Sequence, residues 1–325
     1  MSTAARTAPT GPAAFQRRGR FRFGDALLYG LTAVAGFAAV VLLILITWKV
    51  LAGAQLSWDT FGLGFLRGTT WNPNTATYGA ATFIFGTALT SLFALLVAGP
   101  IAIAIALFLT ELAPGWIRSP VGALVEMLAS VPSVVLGFWG ILVMGPWIVS
   151  SLSPILSKLL DWTPFFDGEQ NVGSSQLAAV LILTIMIVPI VSSICRELFT
   201  NVPTELKEGA LALGATRWEM IRGVVFPYSR AGIASALILG LGRAVGEAIA
   251  VTQVIGAGTN ISFNLFATGD TLASKIATSY QGANTNLEVS SVVYLAVLLL
   301  VFSLIVNVIA QVIVRRVARR QQGRS

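Results

Sequence analysis

Six stretches of the sequence are each long and apolar enough to cross a membrane as a helix. A helix needs about 20 apolar residues to cover the hydrocarbon core of a bilayer, because it rises about 1.5 Å per residue. Hydrophobic residues make up 55% of the chain and charged residues 11%, which is typical of a protein that lies mostly in lipid. The sequence therefore predicts an all-α, polytopic membrane protein with six transmembrane helices. The stretches are residues 27–51, 78–109, 127–149, 176–195, 231–256 and 289–314.

The basic residues predict the orientation of these helices. Short cytoplasmic loops carry an excess of Lys and Arg, and most of the 21 basic residues lie in the N-terminal arm, the loop before the fifth stretch and the C-terminal tail. Both termini and that loop are therefore predicted to be cytoplasmic, in a multi-pass protein of the plasma membrane. Anionic lipid headgroups explain the net charge of +7 better than nucleic acid does, so no nucleic-acid partner is expected.

The same pattern predicts how the chain is divided. A core of five transmembrane helices is expected to follow a first helix that is too long for the apolar region of a signal peptide and is therefore retained. The predicted segments are a basic cytoplasmic arm at 1–24, the first helix and an external loop at 25–77, the core at 78–314 with a cytoplasmic loop at 196–230, and a basic cytoplasmic tail at 315–325.

Several kinds of chemistry are excluded by residues that the sequence lacks. There is no histidine, and Cys195 is the only cysteine, so neither an intrachain disulfide nor Ser–His or Cys–His catalysis is possible. None of the four lysines follows a glycine, so there is no phosphate-binding Gly-Lys motif for ATP. The sequence predicts a non-catalytic chain without a metal or cofactor, which must obtain energy from another subunit.

Residues 204–227, which we call the elbow, predict two short helices joined at a glycine. Thr204 is the predicted N-cap of the first helix, and Glu205 and Glu208 place negative charge near the positive end of its dipole. Gly214 is predicted to end this helix, because glycine adopts the left-handed conformation without a Cβ clash. Such a pair of helices can project from a membrane domain and fit a groove on a partner.

The second helix of the elbow is predicted to begin directly after Gly214. Thr216 and Glu219 have the spacing of a capping box, in which each side chain bonds the backbone of the other residue. Pro227 is predicted to end this helix, because proline has no N–H to continue the hydrogen-bond ladder.

Arg243 and Glu247 are the charged residues of the fifth apolar stretch. Arg243 lies thirteen residues beyond Arg230, which places it about 20 Å into the bilayer at about 1.5 Å per residue. A lone arginine at that depth is costly, so we expect it to face the interior of the helix bundle or a water-filled path. Glu247 follows four residues later and is predicted to lie on the same helical face as its partner.

Two interpretations of this pair remain open, and both can hold together. In the first, Arg243 and Glu247 form a structural ion pair that fixes helix packing. In the second, which we favour, Arg243 offers positive charge to an anion in transit while Glu247 holds the guanidinium in place. A guanidinium fork suits a tetrahedral oxyanion, because two N–H groups can meet two oxygens.

The elbow resembles the cytoplasmic coupling loop of ABC importer permeases. In that family a Glu-Ala-Ala signature is followed at fixed distances by Gly and by a hydrophobic-x-hydrophobic-Pro ending. Here the signature is Glu208-Gly209-Ala210, and glycine at its middle position costs up to ~1 kcal/mol of helix propensity relative to Ala. The resemblance implies the MetI-like fold of a type I ABC importer permease. It also implies an ATPase-coupling loop that includes Glu205, Glu208, Gly209, Ala210, Gly214, Ala215, Thr216 and Pro227.

Three further segments resemble phosphate-specific ABC permeases, and more the PstC-type than the PstA-type subunit. They are the Arg-Ala-Val-Gly-Glu sequence at 243–247 with its continuation to Gln253, the segment 126–137, and the segment 271–277. The second begins with Glu126, near the cytoplasmic end of the third stretch. The sequence leaves open whether Glu126 has a packing role or belongs to the translocation pathway with Arg243 and Glu247.

The resemblance implies a permease subunit that moves inorganic phosphate into the cytoplasm, driven by ATP hydrolysis in a separate subunit. The implied partners are a second, PstA-type permease subunit, a cytoplasmic ATPase dimer, an extracytoplasmic phosphate-binding protein and membrane lipid. Two alternatives stay open at this point: an ABC permease for another oxyanion such as sulfate or molybdate, and a secondary transporter that needs no ATPase.

Overall fold

The structure is a computed structural model of the protein, and it describes residues 22–160, 162–168, 170 and 172–322. The predicted basic arm therefore lies outside these residues except for 22–24, and the predicted tail is described as far as residue 322. The chain divides into two compact units between Lys49 and Val50. In the first unit, the described residues belong to helix α1 (Arg22–Gly53).

The prediction of six transmembrane helices is confirmed by length and composition. Six helical segments of the described chain are apolar enough to cross a membrane. They are Gly24–Gly53, Ala81–Leu112, Ser133–Leu160, Gln176–Thr200, Arg217–Gly246 and Asn286–Val312. These helices make the chain a multi-pass membrane protein.

The helices of the second unit follow one another with few other elements between them. Short helices α2 and α3 precede a two-stranded antiparallel hairpin, β1 and β2. The bounds are α2 Gln55–Phe61, α3 Gly64–Arg67, β1 Trp71–Asn72, β2 Thr77–Tyr78, α4 Ala81–Leu107, α5 Gly115–Ser130, α6 Ser133–Trp139, α7 Gly145–Trp147, α8 Ser153–Leu160, α9 Gln176–Thr200, α10 Thr204–Ala212, α11 Arg217–Met220, α12 Phe226–Gly246, α13 Ile249–Val254, α14 Leu272–Ser279 and α15 Asn286–Gln322. Single π-helical turns lie at Phe108–Leu112, Gly140–Met144, Ile148–Leu152 and Ile221–Val225.

Helix α9 lies at the centre of the second unit, packed against α4 and α12. Alanine recurs every four residues along α4, at Ala94, Ala98, Ala102 and Ala106, and each of these residues is fully buried. Small side chains on one helical face let two helices approach closely, which replaces the hydrophobic driving force that lipid does not supply. The second and fourth spans therefore form the closely packed centre of this unit.

An aromatic cluster closes the end of this unit at which α4 begins. The rings of Phe65 and Tyr294 stack with centroids 4.5 Å apart, and Tyr78 pairs with Trp71 across the hairpin. Helix α14 lies at the same end and is capped by Thr271, whose hydroxyl accepts a hydrogen bond from the Ser274 N–H. The C-terminal end of α4, by contrast, lies beside the elbow.

Two predicted helix boundaries were wrong: the start of the third span, which a proline shifts, and the end of the fifth span, where the helix breaks. The third span begins at Ser133 rather than near 127, since Val131 has the extended ψ of 126° that residues before proline favour. The helix that contains the fifth stretch runs from Arg217 to Gly246 and does not continue to 256. It ends there because Glu247 takes up an extended conformation, with ψ 118°.

Candidate translocation groove and elbow

The first helix of the elbow, α10, is mostly exposed: Lys207 and Ala210 are half-buried, and none of its residues is fully buried. The prediction that Thr204 caps this helix was wrong. Pro203 occupies the N-cap position, without a side-chain hydrogen bond, and Thr204 is the first helical residue. Glu205 does lie in the first turn, where its charge is favourable with the helix dipole.

The turn at Gly214 has the geometry that its sequence predicts. Gly214 has φ +86°, in the left-handed region. Its N–H donates to the Leu211 carbonyl at 3.0 Å, and the N–H of Ala215 donates to the Ala210 carbonyl at 3.2 Å. These two bonds form a Schellman motif, which satisfies carbonyls that the helix end leaves free. Gly214 is therefore confirmed as the residue that ends α10.

The capping box after this turn is also confirmed. The Thr216 hydroxyl accepts from the Glu219 N–H at 3.3 Å, and Glu219 Oε2 accepts from the Thr216 N–H at 2.8 Å. The second helix of the elbow is thus fixed at its start by two reciprocal bonds.

Pro227 does not end this second helix, contrary to the prediction. Helix α11 passes through the π-helical turn Ile221–Val225 directly into α12, which has Pro227 in its first turn. Proline is tolerated in a first helical turn, and the preceding π turn shifts the hydrogen-bond register just where the missing N–H would otherwise interrupt it. The second helix of the elbow is consequently the N-terminal extension of the fifth span, whereas α10 is a separate short helix before the Gly214 turn.

The elbow exposes large apolar side chains in a polar segment. Leu213, beside the Gly214 turn, is 91% exposed, and Leu206, Leu211 and Trp218 are exposed as well. Exposed apolar side chains that are grouped in a polar segment indicate an interaction surface.

A cavity of about 710 Å³ lies between α9, α12 and α15, and we call it the groove. It brings Arg243 and Glu247 to one wall, beside Ser235 of α12 and Asn307 of α15. Ser235 and Asn307 were not predicted from the sequence, since an uncharged polar residue in a span carries no signal of which face it occupies. The remaining lining residues are Ile190, Ile238, Leu239, Gly242 and Gly246.

Arg243 and Glu247 do not form the predicted ion pair. Among the described residues, the two ion pairs join Arg196 to Glu126 and Lys207 to Glu111. The break after Gly246 removes the helical geometry on which a four-residue spacing depends. Glu247 instead accepts a hydrogen bond from the Ala250 N–H at 3.3 Å, at the start of α13. The exposed Arg243 guanidinium therefore faces the groove without a carboxylate partner in the described part of the chain.

Glu126 lies away from the groove. It is on α5 and pairs with Arg196 of α9, in a second cavity of about 930 Å³ at the ends of α4, α5, α9 and α10. The structure thus brings two of the three predicted pathway residues together and places the third among the helix ends next to the elbow.

Lys207 and Glu111 are the charged residues of this second cavity that sequence reasoning missed as a pair. Lys207 Nζ lies 2.6 Å from Glu111 Oε1. The two residues are far apart in the chain, and each lies at a helix end where charged residues are common, so neither spacing nor composition links them.

Known proteins resemble the chain over most of its length. Residues 98–319 match the family described as "Binding-protein-dependent transport system inner membrane component". The phosphate transport system permease protein PstC of Mesorhizobium japonicum is 40% identical over 282 residues, which cover 86% of each chain. Two solved structures share the fold. A bacterial alginate ABC transporter chain has a TM-score of 0.59 at 18% identity, covering 91% of this chain and 99% of that one. A chain of the MetNI methionine ABC transporter has a TM-score of 0.51 at 19% identity, covering 71% and 93%.

Proposed function

The chain belongs to the PstC-type permeases of phosphate transport systems, within the family of binding-protein-dependent inner membrane transport components, and we propose that inorganic phosphate enters the cytoplasm along the groove that Arg243 lines. The observation that carries this proposal is the Arg243 guanidinium, which faces the groove without a carboxylate partner in the described chain. A guanidinium deep in a membrane domain is stabilised by an anion, and its fork of N–H groups matches two oxygens of a phosphate.

Glu247 has a different part in this proposal from Arg243. Its carboxylate bonds the start of α13 and lines the same wall of the groove, so it shapes the helix break and limits the net positive charge. A groove with a lone strong cation would hold phosphate too tightly to release it, whereas a nearby carboxylate lowers that affinity. Glu126 has a packing role in this proposal, since it pairs with Arg196 and so joins α5 to α9.

The elbow is the proposed contact with a cytoplasmic ATPase. Its exposed apolar side chains need a partner surface, and its backbone is rigid because the Gly214 turn and the capping box satisfy their own bonds. The elbow residues in this role are Glu205, Glu208, Gly209, Ala210, Gly214, Ala215, Thr216 and Pro227. The position of the elbow at the start of the fifth span lets an ATPase dimer move the wall of the groove directly.

The groove is open on one side, and we propose that a second, PstA-type permease closes it. An extracytoplasmic phosphate-binding protein would deliver phosphate at the end of the molecule that carries the aromatic cluster. Both termini lie in the cytoplasm in this arrangement, as the basic residues predict. ATP is hydrolysed in the separate subunit, and the chain itself catalyses no covalent step.

The test is phosphate uptake into proteoliposomes that contain the chain with its second permease and ATPase. Radiolabelled phosphate should accumulate only when ATP is on the elbow side and the binding protein is on the other. Uptake without ATP would identify a secondary transporter instead. Sulfate or molybdate that competes as well as unlabelled phosphate would assign the groove to another oxyanion.

A further inference from the structure

The largely buried ion pair between Lys207 and Glu111 joins the elbow to the second span. Lys207 lies on α10, and its Nζ is 2.6 Å from Glu111 Oε1 and 3.0 Å from the carbonyl oxygen of Phe199. Glu111 belongs to the π-helical turn that ends the second span, and Phe199 lies near the end of α9. One ammonium group therefore connects the elbow, the second span and the fourth span.

The burial of this pair distinguishes it from the other ion pair of the described chain. The side chains of Lys207 and Glu111 are 16% and 9% exposed, whereas those of Arg196 and Glu126 are 30% and 55% exposed. Water screens an exposed pair, so its loss changes little. Removal of one partner from a largely buried pair leaves a desolvated charge without compensation, so a single substitution here costs more than one at the exposed pair.

A second cation also contacts the end of the second span. Arg118 of α5 donates from Nη2 to the carbonyl oxygen of Thr110 at 2.9 Å, next to Glu111. The π turn at Phe108–Leu112 makes wider hydrogen bonds than an α-helix and leaves carbonyls available for such contacts. Arg118 of α5 and Lys207 of α10 thus both bond the end of the second span, and of these two cations only Lys207 comes from the elbow.

The second span continues this contact into the core. Its alanine face, which includes Ala98 and Ala102, packs along α9. Helix α10 has no fully buried residue: Ala210 packs against the core from a half-buried position, and Lys207 makes the polar contact with the second span. The Lys207–Glu111 pair is therefore a direct polar link by which a displacement of the elbow can reach the second span, beside the path through α12.

We propose that Lys207 and Glu111 are positioning residues that transmit elbow movement to the second span and so set how much phosphate crosses per ATP hydrolysed. This inference rests on the proposed function, since it assumes an ATPase on the elbow. Neither residue contacts the transported ion in this role. The pair acts through the position of α4 beside the groove-forming helices α9 and α12.

The experiment measures phosphate uptake, ATP hydrolysis and subunit copurification separately in the complete reconstituted complex. Lys207→Met and Glu111→Gln should each lower the ratio of phosphate to ATP by about tenfold or more while hydrolysis continues, because each breaks the ion pair that joins the elbow to the second span. The double variant should lose about as much as either single variant, since both remove one interaction. Lys207→Arg should keep most of the ratio.

Glu197→Gln is the matched control. Glu197 lines the same cavity and loses its charge by the same substitution, but it is exposed and forms no ion pair in the described chain. We expect its phosphate-to-ATP ratio to stay within about twofold of the unchanged complex, as for other exposed charges.

Each outcome either supports or overturns the link. Unchanged ratios in both Lys207→Met and Glu111→Gln overturn it. If these variants fail to assemble, the exchanged pair Lys207→Glu with Glu111→Lys must restore both assembly and the ratio, and its failure to do so overturns the proposal. If the unsubstituted complex takes up no phosphate with ATP, the proposed function is refuted instead. Failure of the Lys207–Glu111 link and failure of the proposed function are therefore distinguishable.

Discussion

In the elbow, polar groups are satisfied by residues a few positions away, whereas in the groove two charged side chains face a cavity rather than each other. Gly214 and Ala215 donate to carbonyls of α10, and Thr216 bonds Glu219 across one helical turn. Arg243 and Glu247 are four positions apart, yet the break after Gly246 separates them. Apart from Lys207, which bonds Glu111 and Phe199, the elbow satisfies its helix ends with its own residues, and the segment inside the span does not pair its own charges.

This difference fits the different functions proposed for the two regions, which are to transmit movement and to bind an ion. A segment that transmits movement must keep its shape while its partner changes, and the local bonds of the elbow provide that rigidity. A segment that binds a passing ion must leave part of its charge uncompensated, because a side chain already in a tight ion pair has no capacity for a ligand. Substitutions in the two regions should therefore have effects of different size and kind.

Arg243→Ala should have the largest effect, because it removes the only strong cation of the groove among its described lining residues. Loss of a charge-assisted contact with a doubly or singly charged phosphate should reduce uptake by about 100-fold or more. Radiolabelled uptake in proteoliposomes measures this, with subunit copurification as the control for assembly. Arg243→Lys should retain partial uptake, since it keeps the charge without the fork. Undiminished uptake by Arg243→Ala would remove the groove from the pathway.

Gly214→Val should have the next largest effect, through the elbow. A β-branched residue at φ +86° is strained by about 1–2 kcal/mol, and relief of that strain must distort the turn that ends α10. We expect about tenfold less ATPase retained on copurification and a similar loss of uptake. Gly223→Ala is the matched control, because Gly223 lies in the same segment without a positive φ and with open space around it. Equal ATPase recovery in the two variants would contradict the role of the elbow.

Glu247→Gln should reduce uptake by only about threefold, far less than Arg243→Ala. Glutamine keeps an acceptor oxygen for the Ala250 N–H, and the structure contains no Arg243–Glu247 pair to lose. Uptake at saturating and at low phosphate separates a change in affinity from a change in rate. A loss as large as that of Arg243→Ala would mean that the two residues act as a charged unit after all.

The two regions also differ in how much their sequence predicts. The turn at Gly214 and the capping box at Thr216 were predicted correctly, because each depends on residues within one helical turn of each other. The six spans were predictable for a similar reason, since each is a continuous apolar stretch. Local signals therefore supply most of the fold.

Each wrong or missed prediction involves another residue or segment that changes the local geometry. Pro203 displaced Thr204 from the N-cap position, and the π turn before Pro227 let the helix continue. The Arg243–Glu247 pair was predicted from an uninterrupted helix, and the break at Glu247 could not be read from a segment without proline. The Lys207–Glu111 contact depends on how the second span and α10 meet, which no spacing within the chain encodes.

Thr216→Ala should have the smallest effect and tests how local the stability of the elbow is. Loss of a threonine N-cap costs about 1 kcal/mol, which should raise the exchange rate of the amide hydrogens in Arg217–Met220 by about fivefold. Uptake should change by no more than about twofold, because helix α11 continues into the fifth span, which holds it in place while its first turn frays. Hydrogen exchange followed by mass spectrometry measures the first effect, and Thr216→Ser, which keeps the hydroxyl, is the control. Faster exchange that spread from α11 into α12 would show instead that the elbow and the fifth span open together, so that the elbow would not be the self-contained rigid segment that the comparison with the groove requires.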